Sequence, residues 1–197
     1  MPDRPACLAM PRALRRACGG LLVALALAAC GGGGDESATP TTAPAPAGGA
    51  DNTSCGLANF RDETLRLVNA RRSMGASCGD HGSFAPAGPL AWNDRLEQAA
   101  FGHSDDMATH DYFAHESQDG RTPADRVSAV GYAWSSIGEN IAAGYPDVAA
   151  VFDGWMASPG HCANIMNAAF RELGMACADN AASQYGRYFT MELATPR

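Results

Sequence analysis

The stretch from Ser158 to Cys162, Ser-Pro-Gly-His-Cys, places a hydroxyl, an imidazole and a thiol close together, a combination that nucleophilic enzymes use. A serine-hydrolase elbow requires Gly-x-Ser-x-Gly and a backbone N–H directly after the serine, which forms part of the oxyanion hole. Here Met156 stands at the first glycine position, and Pro159 has no N–H to donate. The stretch therefore does not predict a serine nucleophile.

Histidines are the other candidates for chemistry. His115-Glu116 begins like the zinc-protease motif His-Glu-x-x-His, but the second histidine would have to be at position 119, which is aspartate. A site built from distant segments remains open, because His115, Glu139 and His161 lie in three segments punctuated by glycine or proline. Spacing alone does not show that these segments meet.

The N-terminus has the pattern of an export signal. Arginines precede the apolar run 21–29, which is too short to span a membrane, so residues 1–29 are predicted to be a signal peptide. The end of this run, Leu27 to Cys30, resembles the bacterial lipobox, in which the cysteine is acylated. Gly31 after the cysteine favors the outer membrane over the inner one. An ordinary cleaved signal with Cys30 incidental is the alternative, and Met10 as the true start is also open.

The composition divides the rest of the chain in two. Residues 30–54 are rich in Gly, Pro, Thr and Ala and cannot bury enough apolar surface to fold, which predicts a tether behind the lipid anchor. Residues 55–197 have the size of one domain. The formal net charge is −7 and every basic residue is arginine, without a basic stripe in the domain. This pattern excludes nucleic acid as a partner and disfavors electrostatic binding to anionic lipid headgroups.

Four cysteines remain in the domain once Cys7, Cys18 and Cys30 are assigned to the signal and the lipid anchor. An even number in an exported domain predicts disulfides, and three pairings are possible. Short loops favor pairing Cys55 with Cys78 and Cys162 with Cys177. A zinc site of four thiolates is the weaker alternative, because no Cys-x-x-Cys spacing exists.

Hydrophobic periodicity predicts an α+β domain in which helices cover a small antiparallel sheet. Asn93 and Thr122 are predicted N-caps, and His103 falls on the apolar stripe of its helix, where a hydrogen-bonded core histidine is expected. Helices are predicted within 57–75, 93–110, 122–130 and 145–158, and strands within 88–92, 135–143, 172–178 and 187–194.

Three motifs, in this order, resemble the bacterial branch of the CAP superfamily, which is named for cysteine-rich secretory proteins, antigen 5 and pathogenesis-related proteins. They are Tyr-Phe-Ala-His at 112–115, Gly-Glu-Asn-Ile-Ala at 138–142 and Trp-Met-x-Ser-x-Gly-His at 155–161. The resemblance extends over nearly all of residues 57–194.

The resemblance implies a three-layer α-β-α sandwich with a cleft lined by two histidines and two glutamates. These positions match His115, Glu139 and His161, whereas Ser158 stands where the second glutamate is expected. Two imidazoles and one carboxylate are a plausible ligand set for a divalent metal such as zinc, with water completing it.

The family resemblance further implies a binding protein rather than an enzyme. We expect an exported protein, lipid-anchored to the outer membrane or cell surface or else secreted, whose cleft takes a metal and a lipid, sterol-like or peptide ligand. The alternative is a metal-assisted, peptidase-like hydrolase with Glu139 as general base.

Overall fold

The computed structural model describes residues 8–9 and 53–197. The predicted acylation site Cys30 lies outside the described residues, as do nearly all of the predicted signal peptide 1–29 and tether 30–54. Among the described residues, no helix combines the length and hydrophobicity needed to cross a bilayer.

The four predicted helices form, and their N-caps explain where two of them begin. The Asn93 side chain accepts hydrogen bonds from the N–H groups of the first turn of α2. Thr122 and Asp125 form a reciprocal capping box at the start of α3. The helices are α1 (Phe60–Met74), α2 (Asp94–His110), α3 (Pro123–Ala129) and α4 (Val148–Ala157).

A fifth helix, α5 (Pro159–Met166), begins directly after the predicted helix range 145–158 and was not predicted. Helix α4 does end at Ala157, and Ser158 follows as its C-cap. Ser158 also precedes the first residue of α5, where Pro159 is tolerated because a first-turn N–H needs no partner within the helix. His161 is therefore helical.

The central sheet has the order β1-β5-β7-β6-β4. The long strands β5, β7 and β6 pair antiparallel, and the two-residue strands β1 and β4 add parallel edges. The strands are β1 (Leu8–Ala9), which lies within the predicted signal peptide, β4 (Ala91–Trp92), β5 (Trp134–Ala143), β6 (Glu172–Asp179) and β7 (Arg187–Pro196). A separate ribbon pairs β2 (Ala76–Ser77) with β3 (Ser83–Phe84), and a short 3-10 helix spans Gly79–His81 between them.

Helices cover both faces of the sheet, which confirms the predicted sandwich. Phe189, Met191 and Leu193 of β7 join a core with α1, α4 and α5. The alternate residues of β7 face α2 and α3, as Tyr188 and Ala194 show by their contacts with apolar residues of these helices. Residues on either face of the middle strands are consequently buried.

The predicted disulfide pairing is wrong. Cys55 pairs with Cys177 and Cys78 with Cys162, with Cα–Cα distances of 5.4 and 5.5 Å. The segment around Cys55 runs beside β6, where the Cys177 N–H donates to the carbonyl oxygen of Thr53. Cys78 precedes the 3-10 helix, which packs against α5. Tertiary packing rather than loop length decides which thiols meet.

Candidate functional site

Glu139 lies at the center of the site. Its side chain is only 2% exposed, because β7 pairs with β5 at this position and both α3 and α5 pack against β5. One carboxylate oxygen is 2.6 Å from Nδ1 of His115, and the other accepts a hydrogen bond from Arg126, also at 2.6 Å. Both oxygens are thus held by neighboring side chains.

Arg126, which sequence reasoning missed, connects Glu139 to the loop that carries His115. Its guanidinium is buried, and besides Glu139 it donates to the hydroxyl of Ser117 and to the backbone carbonyl oxygens of His115 and Arg121. The loop that carries His115 is therefore tied to α3. One indication of a buried arginine was present in the sequence: Arg126 directly precedes Val127 in a short helix that must pack on the sheet.

The electrostatics of Glu139 determine the tautomer of His115. Burial alone raises the pKa of Glu139, but the hydrogen bond from His115 and the positive charge of Arg126 lower it below its ordinary value. An ionized carboxylate only accepts hydrogen bonds, so we assign the proton to Nδ1 of His115. Nε2 is then free to accept, on a side chain that is 26% exposed.

Helix α5 brings His161 to the same strand. The Asn140 amide donates to the backbone carbonyl oxygen of His161 at 3.2 Å, and the Asn164 amide donates to that of Glu139 at 3.1 Å. His161 is buried, which together with the nearby His115 lowers its pKa to about 4. Its Nδ1 has no hydrogen-bond partner among the described residues. His161 is therefore a neutral imidazole with unused hydrogen-bonding capacity.

Ser158 lies at the junction of α4 and α5 and is buried. Its hydroxyl does not cap α5, although its carbonyl oxygen accepts the N–H of Cys162 at 2.9 Å. The position offers a hydroxyl where the family resemblance leads one to expect a carboxylate.

Two further titratable side chains surround Glu139. His103 is a buried, hydrogen-bonded core histidine as predicted, with Nε2 at 2.9 Å from the carbonyl oxygen of Ala114, and burial lowers its pKa to about 4. Glu192 of β7, which sequence reasoning missed, lies directly opposite Glu139 and is fully buried. The available signal was a carboxyl group in mid-strand of a sheet covered on both faces.

These residues fit a divalent metal only in part. His115 Nε2 and His161 offer two neutral imidazoles, whereas Glu139 must give up a 2.6 Å contact to become a third ligand. Within residues 8–9 and 53–197, the group of three candidate ligands with atoms mutually within 4.8 Å is Cys55, Cys177 and Asp179. Its two sulfurs form a disulfide, and thiolates are the species that bind metals.

A separate surface pocket of about 570 Å³ lies where β6 begins and β7 ends. It is lined by Trp92, Tyr132, Glu172, Pro196 and their neighbors, and none of the predicted site residues contributes to it. The Tyr132 hydroxyl and the Asn93 amide both donate to Glu172 there. These polar groups satisfy one another.

Comparison with known proteins identifies the family to which the chain belongs. The CAP model, described as the cysteine-rich secretory protein family, matches residues 65–193. The membrane protein YlbC of Bacillus subtilis (strain 168), described as uncharacterized, is 36% identical over 86 residues, which cover 44% of this chain and 25% of YlbC.

Solved structures show the same fold. An extracellular protein of Bacillus anthracis that contains an SCP domain matches at 31% identity with a TM-score of 0.55, covering 68% of this chain and 39% of that one. An outer surface protein of Borrelia burgdorferi matches with a TM-score of 0.57 at 16% identity, covering 70% and 92% of the two chains. This chain thus spans well under half the length of YlbC and of the Bacillus anthracis protein.

Proposed function

Because this chain belongs to the CAP family of cysteine-rich secretory proteins, we propose that its domain is an exported binding protein of the cell envelope or extracellular space rather than an enzyme. The state of Glu139 carries the proposal. A general base needs a carboxylate oxygen within reach of water, and here both oxygens are occupied and the side chain is 2% exposed. The hydrolase alternative requires Glu139 to break one of these bonds.

The imidazoles of His115 and His161 supply the binding groups. Both residues are held next to β5. The His115 ring contacts the carboxylate of Glu139, and the backbone carbonyl oxygen of His161 accepts a hydrogen bond from the Asn140 amide. They would hold a divalent ion such as zinc, which when bound supplies open coordination positions for a ligand oxygen. Without metal, the same nitrogens would hydrogen-bond a polar group of the ligand.

Apolar surface next to His115 supports a lipid or peptide ligand. Tyr112 and Phe113 lie just before His115 in the same loop and are partly buried. Phe113 contacts Tyr185 edge to face, with ring centroids 5.8 Å apart. Aromatic side chains beside a hydrogen-bonding imidazole favor a ligand with one polar and one apolar part.

Export is supported by the two disulfides, which persist in oxidizing compartments. The Bacillus anthracis relative is described as extracellular. We place the protein on the outer membrane or cell surface through acylated Cys30, with secretion without an anchor as the alternative. Metabolic labeling with a fatty acid would show label in the wild type and none in Cys30→Ser; label that persists in this variant contradicts the anchor.

Metal analysis and a cleavage assay test the binding role. We expect zinc uptake by the purified domain to fall at least tenfold in His115→Ala and in His161→Ala, and to be unchanged in His81→Ala, which alters an exposed histidine. Peptides and esters should remain intact in all four proteins. A cleavage activity that disappears together with zinc in His161→Ala would show that the protein is an enzyme.

A ligand screen tests the second part of the proposal. Apolar ligands, either co-purified from the envelope or added, should raise the melting temperature of the wild type. The shift should shrink in His115→Ala if this imidazole holds the polar part of the ligand. An equal shift in both proteins would place the ligand elsewhere.

A further inference from the structure

Glu172, the first residue of β6, lines the surface pocket of about 570 Å³, and its carboxylate has no cationic partner there. Within the part of the chain that the structure describes, it forms no ion pair with an arginine or a histidine. By contrast, Glu97 pairs with Arg61 at 2.7 Å and Glu139 pairs with Arg126 at 2.6 Å. Glu172 therefore brings to the pocket a negative charge that the domain itself does not neutralize.

Two neutral donors fix the direction of this carboxylate. The Tyr132 hydroxyl donates to its Oε2 atom at 2.5 Å, and the Asn93 amide donates to the same oxygen at 3.2 Å. Asn93 is itself held, because its side-chain oxygen accepts the N–H groups of Arg95 and Leu96 as the N-cap of α2. Burial, together with the hydrogen bond to Glu172 and the charge of this residue, raises the pKa of Tyr132, so the hydroxyl stays a donor.

These two hydrogen bonds satisfy Oε2 and leave Oε1 of Glu172 available to a ligand. No donor of residues 8–9 and 53–197 contacts Oε1, yet it is not one of the buried polar atoms without a partner. Solvent therefore reaches it. A carboxylate that neutral donors hold by one oxygen keeps its charge and presents the other oxygen in a fixed direction, which suits a charge-assisted hydrogen bond from a cation.

The remaining walls of the pocket suit the carbon part of an organic cation. Trp92 and Pro196 contribute apolar surface, and the volume lies in the range of small-molecule sites. The guanidinium of Arg61 already lies 5.0 Å from the centroid of the Trp92 ring. This contact shows that the indole is placed where a positive charge is favorable beside it.

We propose that this pocket binds the ammonium group of an organic amine, with Glu172 as the residue that recognizes the charge. The ammonium donates to Oε1, and the attached carbon chain lies against Trp92 and Pro196. Free alkylamines and the lysine side chain of a polypeptide share this chemistry. None of the residues of the histidine site lines the pocket, so the proposal goes beyond the binding function proposed for that site.

Two arginines at the pocket distinguish a cation site from an anion site. Arg95 and Arg197 also line it; the Arg95 guanidinium donates to the carbonyl oxygen of Gly131 at 2.7 Å, and Arg197 is exposed. Their charges repel an ammonium and attract an anion. Removing Arg197 should consequently strengthen the binding of an amine, whereas it would weaken the binding of a carboxylate.

Titration with n-butylammonium chloride, followed by the indole N–H resonance of Trp92, tests the proposal. The resonance is assigned by its absence in Trp92→Phe. Glu172→Gln keeps the shape and can still accept from Tyr132, and its affinity should fall by about tenfold or more because a hydrogen bond to a charged group is lost. Glu116→Gln removes the same charge at an exposed position outside the pocket and should bind like the wild type.

Uncharged and anionic probes of the same chain length complete the test. Butanol should bind by about tenfold or more weakly than n-butylammonium, because it lacks the charge. In Arg197→Ala, n-butylammonium should bind more tightly than in the wild type. The proposal is overturned if Glu172→Gln binds the amine as the wild type does, if butanol binds equally well, or if butyrate binds and is lost in Arg197→Ala.

A short peptide separates the two sources of the amine. Acetyl-Gly-Lys-Gly-amide carries the same butylammonium chain on a backbone, so tighter binding than that of n-butylammonium assigns the pocket to a lysine side chain and weaker binding assigns it to a small amine. If neither probe binds, the proposal is wrong. All titrations are made without zinc, and His115→Ala should bind the amine normally, so this proposal and the proposed function can fail independently.

Discussion

Two buried arginines, Arg72 in α1 and Arg126 in α3, share a residue type and a nearly complete burial but differ in their partners. Arg72 donates to backbone carbonyl oxygens at the end of α5 and in the loops beside it, those of Gly88, Ile165, Asn167 and Phe170. Arg126 also binds carbonyl oxygens, but its shortest hydrogen bond, at 2.6 Å, goes to the carboxylate of Glu139.

The difference teaches that a buried charge by itself does not mark a functional site. Around Arg72 the carbonyl dipoles compensate the charge, and the result is a clamp between α1 and the end of α5. The charge of Arg126 is compensated by an ionizable group, the carboxylate of Glu139. This carboxylate also contacts His115, which is partly exposed. The partner of the buried charge, rather than the burial, distinguishes the candidate site from the scaffold.

Removing Arg126 should have the largest effect. Arg126→Met leaves the buried carboxylate of Glu139 without its cation, and loss of one partner of a buried pair costs about 3–5 kcal/mol of unfolding free energy. The His115 ring should lose its single tautomer as well. Urea unfolding at neutral pH measures the first effect; a loss below about 1 kcal/mol, the value of an exposed pair, would contradict this role.

Removing Arg72 should cost somewhat less and should spare the site. Arg72→Met leaves buried carbonyl oxygens unpaired, and we expect a loss of roughly 2–4 kcal/mol. Because Arg72 has no part in holding Glu139, the ring of His115 should keep its wild-type nitrogen shifts. Altered shifts in a folded Arg72→Met protein would erase the distinction between the two arginines.

Acidic pH should lower the unfolding free energy through His161, a residue of the candidate site. The pKa of His161 is about 4 in the folded protein against 6.5 ordinarily, so between these values the unfolded chain binds a proton that the folded one does not. The contribution of His161 to the unfolding free energy is therefore complete above pH 6.5 and is lost as the pH falls toward 4, by about 3 kcal/mol in total. His161→Gln should flatten the pH profile of the unfolding free energy between pH 4 and 6.5, and a variant profile as steep as that of the wild type would contradict this role.

The smallest predicted effect is a pH dependence that separates the two arginine variants. Protonation of Glu139 in acid removes the uncompensated charge, so the cost of Arg126→Met should shrink by about 1 kcal/mol on going from neutral to acidic pH. Carbonyl oxygens do not titrate, so the cost of Arg72→Met should stay constant. Unfolding of both variants and the wild type is measured at several pH values. If the two losses of unfolding free energy change equally with pH, the assigned partners are contradicted.

Local sequence signals were sufficient for most elements of the fold. Caps and apolar periodicity located α1 to α4 and the strands β6 and β7, because these signals act within a few residues. Helix α5 was missed because proline and glycine at 159–160 are typical of the end of a helix, although proline also suits the first turn of a new one. The disulfide pairing was wrong because it depends on contacts between distant segments.

The candidate site was only half visible in the sequence. Motifs pointed to His115, Glu139 and His161, but no motif marks Arg126, which donates to Glu139, or Glu192, which lies opposite it. The alternation of β7 assigned Phe189, Met191 and Leu193 to the core and left Glu192 on a face that could have been exposed. In a three-layer sandwich that face is covered as well, which turns an ordinary strand residue into a buried acid.

The tautomer of His115 in the wild-type protein tests the central claim most directly. If Glu139 is an ionized carboxylate held between Arg126 and His115, long-range proton–nitrogen spectra recorded at alkaline pH, where imidazole rings are neutral, will show a proton on Nδ1 and an unprotonated Nε2. The resonances are assigned by their absence in His115→Ala. A proton on Nε2 instead would mean that Glu139 does not hold this ring, and the account of the site would be wrong.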